Sequence, residues 1–202
     1  MKFFAISSLI AAVVALPSVP APAPKVRNNP NAFTVVASRS ASPIHFLSLN
    51  AARSHFYLGG KASSYCPENV QRLGACPAGK ETALIGDTYL AVAVPGGQSI
   101  YVDPKGALAF TVPHSSFTPP DSSTEGFAYK ASKNGGLGRW SLKQGLMACP
   151  TTNATAVPGN PRWQVFAALK NATVPTGNVQ DCLGFSAVTA SRNGSAAAYE
   201  YL

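Results

Sequence analysis

The sequence predicts an all-β fold: one compact domain of about a dozen short strands, arranged as a sandwich or irregular barrel, with a β-trefoil as the alternative. Three observations lead there. Short apolar or alternating runs recur from Phe33 almost to the end of the chain. Turn signals fall between them, among them Pro95-Gly96-Gly97, Asp103-Pro104-Lys105-Gly106 and Asn134-Gly135-Gly136. No segment keeps an apolar 3.6-residue period for three turns, so helix is scarce, with room for one turn only near Leu49 to Ser54.

Taken in order, the chain opens with Met1-Lys2 followed by FFAISSLIAAVVAL, one positive charge ahead of a short apolar run that ends in small residues at Val13 and Ala15. That is the anatomy of a secretory signal peptide, and the run is too short to span a bilayer. Residues 1–15 are therefore expected to be removed, residues 16–32 to form an extended proline-rich leader (PSVPAPAP), and residues 33–202 to form the β domain. The C-terminal SAAAYEYL lacks the hydrophobic tail of a lipid-anchor signal, so a freely secreted or wall-retained protein is expected.

Within the domain the strand candidates are FTVVAS, IHFLSL, HFYLGG, TALIGD, YLAVAV, SIYVD, ALAFTV, FAYKAS, RWSL, LMACP, WQVFAAL and FSAVTA. The hairpin SIYVDPKGALAFTV is the clearest, because Pro104 presets φ for the second turn position and Gly106 suits the position that closes the turn. Residues 115–126, SSFTPPDSSTEG, are polar and non-periodic and read as an exposed loop.

Four cysteines, Cys66, Cys76, Cys149 and Cys182, form an even set in an exported chain, and no pair has the two-residue spacing of a zinc ribbon or redox dithiol. Disulfides follow. The most economical pairing is Cys66 with Cys76 and Cys149 with Cys182, and a long-range pairing stays open. The triplets at Asn153, Asn171 and Asn193 each have the form of an N-glycosylation acceptor and predict solvent-facing loops.

Chemistry is thinly represented. Eight acids and sixteen bases give a net charge of +8, with the bases scattered singly rather than gathered into the aromatic-interleaved patch that nucleic acid requires. A glycosidase needs two carboxylates across one cleft, yet Asp87 and Asp103 both sit on turns. No Gly-x-Ser-x-Gly elbow occurs, and the three histidines, His45, His55 and His114, lie at no ligand spacing from a cysteine. The expectation is a non-enzyme without metal or cofactor, a monomer that binds neither nucleic acid nor membrane. The sharpest binding candidate is a sugar-stacking face on Tyr129, Trp140 and Trp163, since Trp140 follows the Gly135-Gly136 turn and Trp163 follows Asn160-Pro161; burial in the core is the ordinary role of such residues.

The succession GDTYLAVAVPGGQSIYVDPKGALAFTV, GFAYKASKNGGLGRWSLKQGLMACP, RWQVFAAL and QDCLGFSAV resembles fungal secreted cell-wall proteins of the phialide-development (PhiA-like) type, and more distantly the C-terminal module of yeast wall mannoproteins with internal repeats. The resemblance covers about residues 33–190. It implies a glycosylated, extracellular, wall-associated protein without catalytic residues, linked to spore-bearing cell development and allergen-like, whose partners are wall polysaccharide or wall proteins. Cys66, Cys149 and Cys182 match family cysteines by their surroundings, whereas Cys76 looks like an addition. The glutamine-rich repeats by which the yeast proteins attach to glucan are absent, so covalent linkage is not carried over. Two other functions stay open: a carbohydrate-binding, lectin-like module, and a secreted effector or inhibitor that binds a host protein.

Overall fold

The computed structural model describes residues 31–132, 136–151, 163–192 and 196–202. They form fourteen strands and one five-residue helix: β1 (Ala32–Ser38), β2 (Leu49–Ala52), β3 (His55–Leu58), β4 (Ser64–Tyr65), α1 (Glu68–Arg72), β5 (Leu84–Ile85), β6 (Tyr89–Leu90), β7 (Ile100–Val102), β8 (Leu108–Phe110), β9 (Phe127–Lys130), β10 (Gly138–Leu142), β11 (Leu146–Pro150), β12 (Trp163–Ala167), β13 (Leu183–Arg192) and β14 (Glu200–Tyr201). The fold is all-β, its strand ladders antiparallel.

The ten-residue β13 organises the sheet. One edge pairs with all of β1, from Ala32↔Arg192 to Ser38↔Ser186. The other edge is divided: Leu183, Gly184 and Phe185 pair with β11, while Ala187, Val188 and Thr189 pair with β10. The sheet therefore splits at β13 into two arms. One runs β6-β5-β1-β13-β10-β9, and the other runs from β13 through β11, β12 and β3 to β8 and β7, with β2 on the far side of β3. The curl almost returns to its start, because Ser48, just before β2, bridges to Val36 of β1. A single bridge is not a ladder, so the sheet is not a closed barrel, and the strand order has no threefold repeat of the trefoil kind.

Both arms cover one apolar core. Phe33, Phe127 and Trp140 come from the first arm, and Phe56, Leu58, Phe110 and Val165 from the second. Edge-to-face contacts run through it from Phe56 to Phe110 at 5.4 Å between ring centroids and on to Tyr201 at 6.5 Å, a preferred aromatic geometry. Tyr201 reaches the core because Gln98 holds it as a neighbouring strand would. The buried amide accepts from the Tyr201 N–H at 2.8 Å and donates to the carbonyls of Tyr201 and Thr111 at 3.0 and 2.9 Å.

The two disulfides are Cys66–Cys76, which encloses α1, and Cys149–Cys182, which ties buried β11 to the turn entering β13. The SIYVDPKGALAFTV hairpin forms as expected: Val102 pairs with Leu108, Gly106 N–H donates to Asp103 O at 2.9 Å, and Gly106 takes φ +88°. Residues 115–126 fold back over β7 through a mutual Ser123–Val102 bridge.

Two elements depart from the sequence reading. IHFLSL is mostly not a strand. His45 N–H donates to Ser42 O and Leu47 N–H to Ile44 O, so the run coils through tight turns that bury Ile44 and leave Phe46 exposed at φ +61°. The segment from Leu49 is not a helical turn either. It is β2, joined to β3 by a two-residue hairpin loop, Arg53-Ser54, in which both residues have positive φ, 54° and 58°. This is the type I′ geometry whose twist matches paired strands and which asparagine and glycine normally supply. The helical turn lies instead at α1, where the Cys66–Cys76 link closes the loop.

Candidate functional site

The Arg53-Ser54 turn delivers His55 to a junction of three strands. Tyr57 and Leu58 of β3 pair with β12, whereas His55 pairs with Ala109 of β8. A bridge from Ala107 to Phe166 joins β8 to β12 beside it. Where these strands part, an open cleft of about 570 Å³ forms, with polar groups from His55, Asp103, Lys105, Gln164 and Thr173 against an apolar wall that includes Phe166 and three prolines, Pro104, Pro119 and Pro175.

Asp103 divides its carboxylate between two tasks. Oδ1 accepts the amides of Lys105 and Ala107 at 2.9 and 2.8 Å and so closes the hairpin turn. Oδ2 lies 3.9 Å from His55 Nε2. On the far side of the imidazole, Nδ1 is 2.8 Å from the carbonyl of Arg53. A carbonyl only accepts, so Nδ1 carries a proton and donates it, and in the neutral ring Nε2 presents a lone pair. With the ring neutral, the cleft holds two acceptors 3.9 Å apart, a carboxylate oxygen and an imidazole nitrogen. The same carboxylate is felt by Tyr101 at the end of the hairpin, whose hydroxyl is shifted above its ordinary pKa by burial first and by the Asp103 charge second.

The opposite rim is the loop after β12. Thr173 N–H donates to Lys105 O at 2.9 Å and Ala167 N–H to Gly106 O at 2.9 Å. A side chain at Gly106 would be strained by φ +88°, and its Cβ would lie 3.1 Å from the Ala172 methyl, a tight contact with this rim. Asn171 is exposed on this rim, two residues from Thr173, which lines the cleft. Asn153 and Asn193 lie outside the described residues.

The aromatic face read from the sequence is not assembled. Trp140 is 1% exposed, with its indole N–H donating to Asp87 O at 2.8 Å, and it stacks on Phe127. A ring with no free face cannot take a sugar. Tyr129 is its cross-strand partner but is half-buried, stacked on Phe33 at 3.8 Å. Trp163 belongs to β12 in the other arm and pairs with Leu58 and Pro150. Burial of Trp140 is the ordinary fate of a large aromatic that begins an apolar alternation.

Asp87 does not share the cleft with Asp103. Its carboxylate accepts the amide of Tyr129 at 2.7 Å and fixes β9 to the turn between β5 and β6. The His55–Asp103 pair was missed in the sequence because nothing local marks it. The residues are far apart in the chain, and the turn that aims His55 has no Asn-Gly signature. Among the described residues, no group of three or more His, Cys, Asp or Glu could hold a metal ion, and no helix is long and apolar enough to cross a membrane.

No solved structure matches the chain. Among curated proteins it is similar to an uncharacterized secreted protein of Arthroderma benhamiae, 40% identical over 202 residues, which spans 96% of this chain and 98% of the relative. The family model of the PhiA-like secreted proteins matches residues 33–202. The match takes in the whole two-armed sheet from Phe33 onward, the cleft and both disulfides, and on it the chain belongs to the PhiA-like secreted protein family.

Proposed function

We propose that the chain is a non-enzymatic, N-glycosylated structural or interaction protein of the fungal cell wall, tied to the development of spore-bearing cells. The observation that carries this proposal is the exposed acceptor Asn171 on the rim of an open cleft. A glycan there and the cleft beside it are displayed together on a disulfide-clipped β shell, which suits a protein that persists outside the cell and presents a surface. Its partners are wall polysaccharide or wall proteins, and it needs no cofactor.

The test is fractionation of a fungal culture producing the tagged chain. The protein is expected in the wall pellet after salt washing, with a mass that falls on enzymatic removal of N-glycans. Recovery wholly in the medium would overturn the wall assignment, and an unchanged mass would overturn the glycan.

A further inference from the structure

The geometry points to the cleft as a binding site for a neutral hexose unit, recognised by a vicinal pair of hydroxyls that donate to His55 Nε2 and to Asp103 Oδ2. The inference rests on the wall-polymer reading and gives it an address. His55 Nδ1 is committed to the Arg53 carbonyl at 2.8 Å and Asp103 Oδ1 to two backbone amides, so with the imidazole neutral the atoms left over, Nε2 and Oδ2, are two acceptors 3.9 Å apart. Such a pair asks for two donors side by side, which is what neighbouring hydroxyls of a pyranose provide. Gln164, Lys105 and Thr173 line the same cleft and can donate to the sugar oxygens, while Phe166 and the three prolines offer an apolar wall to its C–H face. The cleft of about 570 Å³ is within the usual range for small-molecule sites.

Charge selects within the sugars. Asp103 repels a carboxylate placed beside it and Lys105 repels an ammonium placed beside it, and a neutral hexose meets neither repulsion. The turn before His55 fixes the direction of its ring. The two residues that aim His55 are non-glycine residues at φ 54° and 58°, and the Ser54 carbonyl is held by Phe110 N–H at 3.0 Å. Positive φ at both positions is what a type I′ loop requires, and that bond holds the loop, and with it His55, in place.

The experiment titrates the folded, glycosylated protein with three probes, a neutral β-glucan hexaose, a glucosamine hexamer and an oligogalacturonate, and follows the histidine ring signals by NMR. The neutral hexaose should move the His55 ring and leave His45 and His114 in place, and Asp103→Asn should weaken it at least about tenfold, as expected when a charge-assisted hydrogen bond is lost. Asparagine keeps an acceptor for the Lys105 and Ala107 amides, so the turn survives. His55→Leu is the second variant and should abolish binding. No shift at His55, undiminished binding by both variants, or binding of a charged probe alone would overturn the site. Wall retention is measured on the same proteins. Wild type that stays in the wall without a His55 response overturns the site and leaves the wall proposal standing. A His55 response in protein that washes out supports the site and overturns the wall proposal.

Discussion

Gln98 occupies a place where a strand would otherwise be needed. Its amide satisfies both the N–H and the carbonyl of Tyr201 and the carbonyl of Thr111, all buried. Gln98→Ala leaves these groups unpaired in the core, and chemical denaturation should show a loss of about 2–4 kcal/mol; a loss under about 0.5 kcal/mol would mean that the pairing contributes nothing net. This role was invisible in the sequence, where Gln98 follows Pro95-Gly96-Gly97 and reads as turn. Asp103 was half legible. The turn-forming oxygen follows from Asp-Pro-Lys-Gly, but the oxygen that faces His55 depends on a hairpin loop made from Arg53 and Ser54, residues with no preference for positive φ.

At the scale of elements, the two disulfides divide the labour unequally. Cys149–Cys182 closes a separation of 33 residues and Cys66–Cys76 one of 10. Loop-closure entropy grows with length, so paired Cys→Ser replacement at 149 and 182 should cost about 2–4 kcal/mol and the same change at 66 and 76 less. Thermal melting of the two variants checks the order, and equal or reversed losses would contradict it. Spacing made the economical pairing the first choice while a long-range one stayed open, and the economical one is present. Most strands were readable, since alternation survives wherever one face meets the core, as in β1 with its buried Phe33, Val35 and Ala37. The failures have physical causes. β4 and β14 are two residues long and carry no period, β2 was hidden by its turn, and IHFLSL closes tight turns, His45 N–H to Ser42 O and Leu47 N–H to Ile44 O, that its apolar pattern does not signal. The cleft could not be read at this level, because it exists only where β3, β8 and β12 diverge.

For the whole molecule, burial of tyrosine sets a pH limit. The hydroxyls of Tyr57, Tyr101 and Tyr201 are all shifted above the usual 10.0, by desolvation in each case. Tyr201 also donates to the Glu81 carbonyl at 2.7 Å. The folded state holds these protons where the unfolded chain releases them, so their contribution is complete below pH 10 and falls as pH rises above it. Three of the seven tyrosines should therefore resist ionisation until the fold opens, seen as a delayed, cooperative phenolate step that coincides with loss of near-ultraviolet dichroism. Reversible ionisation of all seven with the fold intact would refute this. The division of the sheet at β13 has a consequence for biosynthesis. β1 is made early and its partner very late, with most of the chain between them. Until Leu183–Arg192 leaves the ribosome, a nascent chain carries the β13-facing edge of β1 with its N–H and C=O groups unpaired, which exposes it to association with other chains. Its manufacture in the secretory pathway should then depend on chaperone protection late in synthesis, long after the first strands have been delivered.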